Sequence, residues 1–162
     1  MNVENVLIVL HKIFAVFWLS MIPADFLIRK FISDAKGKSG ERKLISLWLK
    51  ILNITGMVGL TGQLITGVWL VFIMPYYGFF QMSGNHWLAG KQIIMVVVII
   101  LTGVYFIPLG KKIRISLGQD FESTKPLSDE SYANIKKLSN MAIITGILIG
   151  INYLLAITHT IL

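Results

Sequence analysis

The sequence predicts an all-α membrane protein: four antiparallel transmembrane helices with both termini outside. Three observations predict it. Hydrophobic residues make up 55% of the 162-residue chain and charged ones 14%. With a mean hydropathy of +0.73, this is a membrane composition rather than a soluble one. The apolar residues gather into four stretches, each long enough as a helix to cross the ~30 Å hydrocarbon core. The basic residues collect in two segments, Arg29 to Lys50 and Lys111 to Lys137, with only Lys12 and Lys91 elsewhere. Such segments stay on the cytoplasmic side, so the net charge of +7 reads as topology and not as a nucleic-acid footprint. The length is that of one domain, 1–162.

The first span is expected over about residues 3–31, with Pro23 as a kink. Met1-Asn2-Val3-Glu4 lacks the basic region of a signal peptide, so this span is expected to be retained. Ser33 to Gly40 makes a basic turn. The second span runs over about 42–74 and is stopped by Pro75. It holds Thr55, Gly56, Gly59, Gly62, Gln63, Thr66 and Gly67, most of which read as small residues that let helices approach closely. Gln63 lies near mid-membrane and needs a partner. Pro75 to His86, with Tyr76, Tyr77, Phe79 and Phe80, reads as an aromatic belt at the outer interface. The third span covers about 87–109 and ends around Pro108 and Gly110. A charged loop follows, placed in the cytoplasm, where Lys111 to Ser131 offers a docking segment for a partner. Ser128 ahead of Asp129 and Glu130 marks the start of the last span, 129–160.

The polar residues inside these spans carry the functional question. His11 lies about two turns into the first span, where facing lipid is expensive. Its helical face continues through Ala15, Trp18, Ile22, Asp25 and Arg29, so an interior face with an Asp25–Arg29 pair is expected. The topology puts His11, His86 and His159 near the outer side, and Lys91 with them. Lys91 shares a face with Met95, Val98, Thr102 and Tyr105, and His159 one with Asn152 and Thr145. Taken singly, Lys91 could snorkel, and His86 and His159 read first as interfacial residues. There are no cysteines, which removes disulfides, thiolate ligands, iron–sulfur clusters and covalent haem attachment. Two chemistries suit the cluster. Imidazole is an axial ligand for haem iron inside a helical bundle. Three imidazoles, His11, His86 and His159, with Met74, Met82 or Met95 nearby, would suit copper. Haem needs fewer converging residues and ranks first.

Leu10-His11 with Trp18 seven residues on, Trp87-Leu88-Ala89-Gly90-Lys91, and Gly67-Val68-Trp69-Leu70 resemble the HemJ-type protoporphyrinogen IX oxidases. The wider group includes CopD-like four-helix membrane proteins. The chain differs from the HemJ type at Pro23-Ala24-Asp25, where that family has Pro-Arg, and at Asn140-Met141, where it has Asn-Glu. The histidine that family carries late in its third helix is absent. The resemblance implies a haem b with His11 as axial ligand and Lys91 as the catalytic residue or second ligand. Trp18, Gln63 and Asn152 complete the expected cofactor site. It further implies oxidation of protoporphyrinogen IX in a bacterial inner membrane, with a porphyrin or redox partner there. The alternatives are a non-enzymatic cytochrome b or accessory subunit, in which His11 pairs with His159, a copper-handling protein, and a structural or assembly subunit. Lipid-facing surface left by so small a bundle suggests a homodimer or a place in a membrane complex.

Overall fold

The computed structural model describes residues 2–118 and 127–161, with side chains through Thr158. Among these residues there are only helices and connecting turns: α1 (Val3–Leu19), α2 (Met21–Asp34), α3 (Glu41–Ile73), α4 (His86–Leu101), a π-helical turn (Thr102–Phe106), α5 (Ile107–Leu117) and α6 (Asp129–Ile161). They make four units long and apolar enough to cross a membrane: Val3–Asp34, Glu41–Ile73, His86–Leu117 and Asp129–Thr158. Only 11–22% of each apolar stretch is buried inside the protein. The remaining apolar surface, Ile13, Phe26, Phe72 and Ile147 among it, faces outward, as lipid contact requires. The chain is an integral membrane protein by length and composition of its helices.

Successive spans run antiparallel. His11 meets Thr66, Trp18 meets Gly59 and Asp25 meets Trp48, so α3 descends as α1 and α2 ascend. Asn152 reaches Lys91 while Lys137 lies over Tyr105, the same reversal between α6 and the third span. The small-residue reading holds where α3 crosses α1. A Cβ on Gly59 would sit 2.7 Å from Trp18, and one on Gly62 would sit 2.3 Å from Phe14. Those contacts need bare glycine. Gly56 is different, because a Cβ there meets nothing within 4 Å.

Two boundaries differ from expectation. The first span breaks at Ser20, three residues before Pro23, where Ser20 Oγ donates to Phe17 O at 2.6 Å. Pro23 has no N–H for the Leu19 carbonyl, so the ladder opens on its N-terminal side. The third span does not end at Pro108 but continues to Leu117. The π turn directly precedes Pro108, with Ile107 N–H bonded back to Thr102 O. Widening the ladder there accommodates a proline that cannot donate, and helix resumes beyond it. The loop after the third span is correspondingly shorter, and most of it, residues 119–126, lies outside the described residues. The last span starts as its sequence predicts: Ser131 N–H donates to Ser128 Oγ at 3.2 Å, an N-cap bond.

The core sits at the basic end of the bundle. Ile45, Trp48, Ile113, Leu117 and Leu138 are among its most buried side chains. Beside them the expected pair forms, Arg29 Nη2 to Asp25 Oδ2 at 2.7 Å. Trp48 Nε1 donates to the other Asp25 oxygen at 2.7 Å, and Arg29 Nη1 donates to Ser139 Oγ at 3.1 Å. One buried carboxylate thus ties the first span to the second, and its arginine ties the first to the fourth. Ile22, expected on the same interior face, lies beside Gly146 of α6 but is 39% exposed.

Candidate cofactor-binding site

Away from this packed end the helices separate around a cavity of about 420 Å³. It is lined from all four spans: His11, Lys12, Ala15, Trp18 and others from α1, Gln63 from α3, Lys91 from α4, and Ile149, Asn152 and Tyr153 from α6. The structure therefore brings His11, Trp18, Gln63, Lys91 and Asn152 to one place. Their roles in sequence are unrelated, and only the antiparallel crossing joins them.

Each polar group is positioned by backbone or by a neighbour. Gln63 finds the partner it needed, donating through Nε2 to the His11 carbonyl. Asn152 Nδ2 donates to Lys91 O at 3.1 Å. Lys91 Nζ lies 5.7 Å from the centre of the Trp87 ring, a cation–π distance. Trp87 in turn packs edge-on against Tyr77, with ring centres 5.9 Å apart. The aromatic loop is clasped to α4 by Gln92, whose Oε1 accepts from Phe80 N–H at 2.5 Å. Asn85 Nδ2 donates to Tyr76 O at 2.7 Å. Burial, with Tyr76 and Glu4 close by, pushes the Tyr77 hydroxyl above its usual value.

The hydrogen-bond network assigns the His11 tautomer. Thr66 has one hydroxyl proton, and its Oγ1 donates to Gly62 O at 2.6 Å. Its oxygen then accepts from His11 Nδ1, 2.7 Å away. Nδ1 therefore carries the proton of the neutral ring and Nε2 keeps its lone pair. No other hydrogen bond engages the ring among the described residues. A fixed Nδ1–H with an open Nε2 is how proteins present a histidine to a metal.

The electrostatics are one-sided. Lys12 and Lys91 line the cavity with no carboxylate beside them, and neither forms an ion pair among the described residues. An unpaired ammonium inside a membrane span is costly unless something anionic or wet meets it.

Two residues of the site were missed by sequence reasoning. Thr66 was grouped with the small packing residues, although its place three residues after Gln63 puts both on one face. Lys12 was set aside as an outlying charge, yet an unmatched lysine next to His11 was itself the signal. His86 is exposed at the start of α4 and does not line the cavity, nor do Met74, Met82 or Met95. His159 falls within α6, but its side chain lies outside the described residues. Among the described residues no three His, Cys, Asp or Glu side chains group to hold a metal ion.

Fold and cavity together define a class: a four-helix integral membrane protein with a largely apolar chamber between its helices that holds one histidine and two lysines. Comparison with known protein families, with curated proteins and with solved structures finds no match.

Proposed function

We propose that this chain is a haem b-binding membrane protein of the HemJ-like kind, with His11 as axial ligand. One observation carries the reading. A single cavity holds a histidine whose Nε2 is left open by the Thr66 bond, together with two lysines that lack acidic partners. Haem b offers iron to the first and two carboxylates to the second. The donor set fits, and 420 Å³ lies within the about 300–1,000 Å³ usual for small-molecule sites.

The residues divide the work. His11 binds through Nε2, while Thr66 holds the ring's tautomer and direction. Lys91 and Lys12 hold propionate oxygens, and Trp87 restrains Lys91 from one side. Gln63 and Asn152 fix the backbones at His11 and Lys91, and Trp18 closes the floor. When bound, haem supplies one-electron redox chemistry. Oxidation of protoporphyrinogen IX is the enzymatic form of this proposal. There Lys91 would hold a carboxylate of the porphyrin substrate, while the six electrons removed from it pass one at a time to an electron acceptor in the membrane and the six protons leave to water. A cytochrome b that only relays electrons is the non-enzymatic form. On this reading the basic loops face the cytoplasm of a bacterial inner membrane, and both termini and the His11 end face outward.

The test is the visible spectrum of detergent-purified protein produced with haem supplied, oxidised and then dithionite-reduced. A Soret band with reduced b-type bands, lost in His11→Ala, is expected. A colourless wild type overturns the proposal. Lys91→Ala then separates its two forms, because a relay keeps electron transfer without Lys91 while the oxidase loses porphyrinogen turnover.

A further inference from the structure

A second cavity, of about 520 Å³, shares Trp18 with the first and lies toward the basic end, between α3 and the third span. α3 packs on that span through α5, which leaves an apolar cleft alongside Leu60, Val98 and Phe106. Its cytoplasm-expected rim carries Lys111 and Arg114, both exposed, and neither pairs with a carboxylate among the described residues. The wall from Lys111 to Val98 runs about 20 Å at the helical rise. That matches one leaflet with its head groups, half of the about 40–45 Å of a whole bilayer. Gly56 and Gly110 line the cleft, and a Cβ on either meets nothing within 4 Å. These glycines leave room that helix packing does not use.

We propose that this cleft is a binding site for one anionic membrane lipid. The lipid phosphate lies between Lys111 and Arg114, and an acyl chain descends past Gly110 and Gly56 to Val98. Charge selects the lipid, because the rim is cationic and uncompensated while the walls are apolar. Depth selects a lipid over a free anion, because the cleft is as long as a leaflet. Thr145 Oγ1 lies at the deep end, buried and without a hydrogen-bond partner. A hydrocarbon chain makes no use of it.

Native mass spectrometry of the full chain, released from detergent after titration with phosphatidylglycerol or phosphatidylcholine, tests this. One phosphatidylglycerol should be retained about thirtyfold more tightly than phosphatidylcholine, the attraction expected of two basic residues near the surface. The preference should vanish in K111Q/R114Q. Retention should fall in G56L, which fills the cleft, once circular dichroism shows that variant to be as helical as the wild type. K43Q/K50Q, which alters exposed charge outside the cleft, and T145V should behave as the wild type. Equal retention of the two lipids overturns the proposal, as does an equal loss in K43Q/K50Q, which would mean diffuse attraction. Displacement by inorganic phosphate alone would make it an anion site. Loss in T145V would mean an occupant with a polar group at its far end, and would overturn the lipid assignment. None of these outcomes depends on haem.

Discussion

At the scale of single residues, Asp25 and His11 are polar groups within the first span that are held in opposite ways. Asp25 is fully engaged, by Arg29, Trp48 and the packing of the basic end. Removing one partner of such a pair leaves the other charge uncompensated. Asp25→Ala should therefore destabilise the protein toward the lower end of about 3–5 kcal/mol, since Arg29 keeps Ser139. A thermal melt in detergent followed by helical dichroism checks this. His11 is the opposite case, a side chain held at Nδ1 and left open at Nε2. Thr66→Val removes the acceptor that sets the tautomer. On the haem reading it should weaken cofactor retention by about 10–100-fold, the usual cost of losing such a support, while leaving the melt of the helical fold nearly unchanged. Titrating haem into apoprotein measures it. A Thr66→Val protein that binds as tightly as the wild type would sink the role given to this hydroxyl. Thr66→Ser keeps the hydroxyl and should restore binding.

At the scale of elements, glycine on α3 has two meanings that spacing alone cannot separate. Gly59 and Gly62 lie under Trp18 and Phe14 at distances that forbid a side chain. Gly62→Leu should force α1 away from α3, at a cost of about 1–3 kcal/mol or more, and open the His11 cavity. Gly56→Leu, on the same helix, should be tolerated because its side chain enters open space. The pair of melts decides between a generally small-residue helix and this specific crossing. The π turn ahead of Pro108 is the other element-level device. It turns a helix terminator into a widened ladder, and so extends the third span to Leu117. That extension supplies Ile113 and Leu117 to the core and carries Lys111 and Arg114 to the rim of the second cavity.

At the scale of the whole molecule, the two ends of the bundle are built differently. The basic end holds the buried tryptophan and most of the core, and the far end holds the histidine cavity and the aromatic loop. On the proposed topology the Lys- and Arg-rich end lies on the cytoplasmic side. Because the sequence has no cysteine, single introduced thiols report sidedness without background. Ser83→Cys, in the aromatic loop, should react with an impermeant maleimide on intact cells, whereas Ser39→Cys should react only after permeabilisation. The reverse pattern would invert the orientation and place His11 toward the cytoplasm.

The sequence by itself determined the class, the number of spans and most of their ends, because those depend on local quantities. Apolar length decides whether a helix can cross a bilayer, and the Ser128 cap, the Asp25–Arg29 spacing and the basic segments are all readable over a few residues. It also singled out His11, Trp18, Gln63, Lys91 and Asn152, since a polar group within an apolar span stands out wherever its partner is. What it could not supply was the pairing. That Gln63 serves the His11 backbone, that Thr66 chooses the imidazole tautomer, and that Lys12 joins Lys91 around one cavity all depend on how three spans cross. The same is true of Pro108, whose effect on the helix was decided by the π turn before it, and of the separation of Gly56 from Gly59 and Gly62. Side-chain periodicity gives each helix a face, but which faces meet, and at what height, is fixed only by packing all four together.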